Sequence, residues 1–208
     1  DVPAAKEESI AQTRSFTSMM LGVAHAFSRA QPGGLEHLLE QQAAALIERE
    51  ITAMTNFGWD QRLERFFFLG SGARYGLACE AMLKMKEMSL SYSEAYHFME
   101  FRHGPMSMVN DHSLVVGLLT RENNQHELDV LKDMKNLGAR ILSIGDTGRQ
   151  GAPKWIDHVI PLQLDGLDLF GDVLYLPSLQ IMAFEHALSK GLDPDSPNNL
   201  DAVVVLKN

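Results

Sequence analysis

Four large apolar residues, Phe66-Phe67-Phe68-Leu69, run straight into Gly70-Ser71-Gly72. A run that short and that apolar suits a strand buried on both faces, since a half-exposed strand would alternate with polar residues. The glycines after it mark a tight turn, and "ARYGLACEAMLKMKEMS" beyond them has the spacing of a helix. Strand, turn and helix then recur. "SLVVGLLT" (113–120), "ARILSIGD" (139–146) and "DHVIPL" (157–162) read as strands. "NQHELDVLKDMKNLG" (124–138) and the stretch from about Leu174 to Lys190 read as helices. Such alternation predicts an α/β three-layer sandwich around a mainly parallel, flavodoxin-like sheet. Ahead of it lie two helical segments separated by "QPGG" at 31–34. The first presents Ile10, Phe16, Met19, Met20, Val23, Ala24 and Phe27 at helical spacing. The second, from about Leu35 to Thr55, presents Leu38, Leu39, Ala43, Leu46 and Ile47. The division expected is an N-terminal helical hairpin over 1–60 and one α/β domain with a C-terminal tail over 61–208.

Several function classes drop out on composition. The net charge of -9 argues against nucleic acid as the main partner, because phosphate backbones need clustered Lys and Arg. The apolar runs fall far short of the ~20 residues that span a bilayer, so no membrane is expected. A single cysteine, Cys79, excludes an intrachain disulfide and fits a reducing cytoplasm. It sits among small helical residues as a packed thiol. The start at Asp1 rather than Met reads as a fragment or a processed chain.

Three features carry chemistry. Gly70, Ser71 and Gly72 stand at a strand end before a helix, where amides and a hydroxyl can hold a phosphate or sugar hydroxyls, with Arg74 close by. The spacing Gly70, Gly72, Gly76 matches neither a dinucleotide fingerprint nor a P-loop, so a nicotinamide is not expected; no other organic cofactor enters the reading of this chain. On the following helix Leu77, Ala78, Ala81, Met82, Met85 and Met88 form an apolar stripe, and Glu80, Lys84 and Glu87 gather on the other side. By spacing alone that is a solvated face whose Glu–Lys pair contributes only ~0.3 kcal/mol. If it faces a cleft, a carboxylate there can move a proton between adjacent sugar carbons. Lastly, His103 precedes Gly104-Pro105 at the break of an element, where an imidazole is free for acid–base work near neutral pH. His97, His103 and His112 lack zinc-ligand spacing, and no metal is expected.

Together "EAMLKMKE" (80–87), "SEAY" (93–96) and "EFRHGP" (100–105) resemble the sugar-isomerase (SIS) family. The likeness is to the second SIS domain of two-domain phosphosugar enzymes of the glucosamine-6-phosphate synthase type. Relatives acting as amino-sugar-phosphate deaminases or ketose–aldose isomerases match as well. Thr13-Arg14-Ser15-Phe16 is similar to the segment joining the two SIS domains, and "KGLDPDSPNNLDAVVVLKN" to the family tail. The resemblance implies a hexose or amino-hexose phosphate as substrate and a homodimer whose site is completed across subunits. It implies Glu87 as the carboxylate that shuttles a proton between C1 and C2, Lys84 as its partner, and His103 as the ring-opening histidine reaching the neighbouring subunit. Asn199 and the position of Ala202 would lie in the tail that closes over the sugar. The aminotransferases carry a lysine where this chain has Ala202, so glutamine-dependent transfer is not expected of it. In the family the Ser/Thr-rich phosphate loop belongs to the first SIS domain, and no such loop is visible here. Two readings follow: an isomerase or deaminase, or a non-catalytic sugar-phosphate-binding or dimerisation module.

Overall fold

The computed structural model describes Glu7 and residues 9–27, 35–121, 123–145 and 151–200. Its centre is a five-stranded parallel sheet of β1 (Arg65–Gly70), β2 (Tyr92–Tyr96), β3 (Ser113–Leu119), β4 (Arg140–Gly145) and β5 (His158–Pro161), ordered β2-β1-β3-β4-β5. β1 and β3 are interior strands, and their apolar runs fill both faces as expected. Phe66 and Phe68 point to one face, Phe67 and Leu69 to the other. Each such side chain contributes about 1.5–3 kcal/mol by leaving water.

The Phe66 face is covered by α3 (Ala73–Ser89), α6 (Leu176–Ser189) and α2 (Leu35–Gly58). The Phe67 face is covered by α4 (Phe98–Arg102) and α5 (Asn124–Asn136), through Phe98, Phe101, Val130, Leu131 and Met134. The three-layer α/β sandwich read from the sequence is therefore present.

β2 is the strand that the pattern did not announce. It is an edge strand of five residues with only Ser93 buried, so it lacks the apolar run that betrays its neighbours. Long-range bonds hold it instead: Ser93 Oγ donates to the Met82 carbonyl at 2.9 Å, and Lys86 of α3 pairs with Glu94 at 3.3 Å.

α1 (Thr13–Phe27) seats against a 3-10 segment at Asp168–Tyr175, while α2 lies along α6. Only part of the apolar stripe expected for α1 is used. Ala24 is buried and Phe16 and Met20 are partly so, whereas Met19, Val23 and Phe27 face outward.

Candidate functional site

α3 brings Glu80, Lys84 and Glu87 together, but not on a solvated face. The helix is enclosed on nearly every side: Leu77, Ala78, Ala81, Met85 and Met88 pack on the core, and Glu80 and Lys84 are buried as well, at 6% and 4% exposure. What covers the polar side is the segment ahead of α1. Lys84 Nζ donates to the Ala11 carbonyl at 2.5 Å and to Glu87 Oε2 at 2.7 Å, and it stands 3.6 Å from Glu80 Oε1. That segment is held in turn from the C-terminal side, where the Ile10 amide donates to the Asp195 carbonyl at 3.2 Å. The segment that meets Lys84 is thus itself tied to the C-terminal side.

Two carboxylates share this one ammonium. Glu80 Oε1 has no hydrogen-bond partner among the described residues, and 3.6 Å is an ion pair without a hydrogen bond. Burial pushes the Glu80 carboxyl up to about 7, with Lys84 opposing the rise and the Glu87 charge adding to it. Near neutral pH the cluster therefore gains or loses a proton easily. Glu87 keeps a fifth of its side chain exposed and is the member that a ligand can reach. A cavity of about 520 Å³ is lined by the next residue, Met88, with Glu7, Thr13, Gln180 and Asp195 among others, and not by Glu87 itself. Glu80 had a spacing signal in the sequence, but its burial had none.

The glycine turn is at the other end of the same helix. From Arg74 to Glu87 the axis advances roughly 20 Å at about 1.5 Å per residue, so the fold does not bring Gly70, Ser71, Gly72 and Arg74 to the carboxylates. These residues have local work. A Cβ on Gly70 would collide with the backbone of Arg74 and Tyr75, and Gly72 sits at φ +56°. Arg74 Nε donates to the Tyr175 hydroxyl at 3.1 Å, and its guanidinium pairs with Asp172 at 3.2 Å. The Tyr175 hydroxyl donates to the Leu119 carbonyl at 2.8 Å, tying β3 to the segment before α6. Ser71 lines one cavity with the buried Glu127, a residue with no recognisable signal in the sequence.

His103 caps the C-terminus of α4 and is exposed. Its helix packs on the Phe67 face, whereas α3 packs on the Phe66 face, so the sheet lies between His103 and Glu87. No hydrogen bond or ion pair among the described residues joins His103 to Lys84 or Glu87. Gly104-Pro105 does end the helix, and Pro105 opens a 3-10 turn over Pro105–Met108. His97 and His112 are placed apart, one at the N-cap of α4, the other bonded through Nδ1 to the Arg62 carbonyl at 2.9 Å. Among the described residues no group of three or more His, Cys, Asp or Glu is arranged to hold a metal. No described helix is long and apolar enough to cross a membrane. Asn199 is exposed with φ +63°, and Ala202 lies outside the described residues.

A family comparison matches residues 61–162 to the SIS domain. The chain carries a SIS domain. Along 98% of its length, this SIS chain is 31% identical to the glutamine--fructose-6-phosphate aminotransferase [isomerizing] of Pyrobaculum aerophilum, covering 35% of that protein. It superposes on the C-terminal domain of the glucosamine-fructose-6-phosphate aminotransferase from Francisella tularensis with a TM-score of 0.76, at 25% identity, covering 94% of this chain and 59% of that one. Against the glucosamine-6-phosphate deaminase from Thermotoga maritima the TM-score is 0.69 at 26% identity, covering 99% of this chain and 61% of that one. The SIS chain therefore spans about a third of its curated relative and about three fifths of each solved one. The parallel sheet and its helices are those of these neighbours.

Proposed function

We propose that this SIS chain supplies the proton-transfer half of a phosphosugar isomerase or amino-sugar-phosphate deaminase. The observation that carries the reading is the Glu80–Lys84–Glu87 cluster, with Glu80 and Lys84 buried and Glu87 reaching the surface. Packing two carboxylates and an ammonium into a helix face costs several kcal/mol per ion in desolvation, and a solvated surface pair would cost nothing comparable. Such groups earn their place where protons move.

In the proposed reaction the sugar phosphate binds as an open chain over Glu87. The Glu87 carboxylate takes the proton from one of C1 and C2 and returns it to the other through an enediol, or an enolamine with an amino sugar. Lys84 holds Glu87 by its 2.7 Å bond and keeps the carboxylate oriented. Glu80, whose carboxyl is pushed up to about 7, accepts or releases a proton as the charge on Glu87 changes. Ring opening is assigned to His103. Because the sheet separates it from Glu87 of its own chain, it would serve the site of a second copy, as the homodimer implied by the family likeness requires. A deaminase outcome adds a step: the enolamine takes its proton at C1 to leave an imine at C2, and water adds to C2 as ammonia departs, giving the ketose phosphate. The name of the Thermotoga relative favours that outcome, and the isomerizing relatives favour the first.

The test is hydrogen exchange at C1 and C2 of fructose 6-phosphate or glucosamine 6-phosphate in deuterated water, using the native polypeptide that carries this sequence. Exchange is expected, together with its loss in Glu87→Gln. Normal exchange in a folded Glu87→Gln protein would remove Glu87 from the role. Ligand-induced stabilisation without any exchange would favour a sugar-phosphate-binding module instead.

A further inference from the structure

The C-terminal ends of β1 and β3 meet where the sheet order reverses, with α3 leaving β1 for one face and α5 leaving β3 for the other. In open parallel sheets this crevice is where ligands settle, and anions are held there by strand-end amides, hydroxyls and helix N-termini. Here those donors already hold an anion, and it comes from the chain itself. Glu127, in the first turn of α5, accepts the Thr120 amide on Oε2 at 2.6 Å and the Thr120 hydroxyl on Oε1 at 3.0 Å. Ser71 lines the same cavity as this carboxylate, and the Arg74 guanidinium adds positive potential. The Asn123 amide, which could have joined them, is spent on Thr120 Oγ1 at 3.1 Å. Glu127 is 1% exposed.

We propose that Glu127 is a built-in stand-in for a ligand phosphate, occupying the anion cradle at the β1/β3 crevice and excluding phosphate from it. Room is not what excludes an anion. A cavity of about 480 Å³ lies directly beside the carboxylate, lined by Ser71, His97, Asn123 and His126 as well as Glu127. The obstacle is a carboxyl whose pKa burial raises, and which already takes the amide and the hydroxyl of Thr120 at the β3 end while Ser71 of the β1 end lines the same cavity. The inference rests on the fold and these contacts, not on the isomerase or deaminase reading. It changes the role expected of Ser71: the residue shares its cavity with an internal carboxyl, and any sugar phosphate bound by this chain must find its phosphate donors elsewhere.

The experiment is calorimetric titration of the native polypeptide and its variants with inorganic phosphate, against chloride at matched ionic strength. Glu127→Ala is expected to gain saturable phosphate binding at least tenfold tighter than the unaltered protein. Adding Ser71→Ala is expected to weaken that gained binding severalfold. A folded Glu127→Ala protein that binds phosphate no better than the parent overturns the proposal, and so does gained binding indifferent to Ser71. Should alanine prevent folding, Glu127→Ser keeps a hydroxyl at the helix start and carries the same test. Folding of either variant rescued by phosphate and not by chloride supports the cradle. Failure of both to fold at every phosphate concentration overturns it, by showing that Glu127 is required only as a structural carboxylate.

Discussion

Lys84 and Glu87 are joined at 2.7 Å one helical turn apart, with the lysine buried and the glutamate reaching the surface. The lysine's remaining bonds go to a carbonyl 73 positions earlier in the chain and to the ion pair with Glu80. Holding a charge this way positions one carboxylate rigidly and leaves it accessible, which is what proton transfer to a bound substrate needs.

Replacing Glu87 by Gln preserves volume and removes the base. Exchange at C1/C2 is expected to fall by about 10²–10⁴-fold, the span that a general base contributes, while the melting temperature changes little because Glu87 is partly exposed. Steady-state exchange by NMR and a thermal melt on one preparation check both halves.

Lys84→Met is a different kind of change. It leaves Glu80 beside Glu87 with no cation and strands the Ala11 carbonyl, so a loss of about 3–5 kcal/mol of stability is expected, as for breaking any buried pair. Adding Glu80→Gln removes one of the stranded charges and should restore part of the loss. Denaturant unfolding of the single and double variants measures the coupling.

The Glu80 carboxyl stands at about 7 in the folded chain against 4.5 for a free side chain. Because its folded value is raised, the folded state binds the proton more tightly than the unfolded state does between those values. Stability is therefore expected to fall as pH rises from 4.5 towards 7, and to level off above 7. Glu80→Gln should flatten that portion of the profile and be relatively more stable than the parent at pH 8. Equal slopes in the two proteins would show that Glu80 titrates normally.

If His103 works in the site of a second copy, two inactive variants should rescue each other. Mixing His103→Ala with Glu87→Gln under conditions that allow subunit exchange is expected to restore about a quarter of full activity, the yield of random pairing in a two-fold dimer. Absence of any recovery in a mixture proven to exchange subunits would remove His103 from that role.

Tyr175 is wholly buried, and its hydroxyl links the β3 end to Arg74. Tyr175→Phe leaves the Leu119 carbonyl without that donor and is expected to cost about 1–3 kcal/mol. The effect should appear in unfolding by urea, with exchange activity per folded molecule nearly unchanged because Glu87 is at the far end of α3.

Much of this was legible in the residues themselves. Unbroken apolar runs such as 66–69 and 113–119 announce interior parallel strands, because only a strand covered on both faces can be apolar at every position. The breakers at Gly70-Ser71-Gly72 and Gly104-Pro105 mark element ends, because their backbones or missing donors do not continue a helix or strand. The 3.6-residue period places Glu80, Lys84 and Glu87 on one side of α3 whatever else the chain does. What that period cannot say is whether the side faces water. Burial of Lys84 depends on a carbonyl at Ala11, and the occupied crevice depends on Glu127 meeting Thr120 beside Ser71. β2 escaped notice because an edge strand gains its place from partners and not from its own apolarity. Local order follows from short-range sterics and hydrophobic period, which a sequence displays. Which charges are desolvated, and on which face of the sheet His103 stands, follow from contacts between distant segments, and the tertiary structure alone decides them.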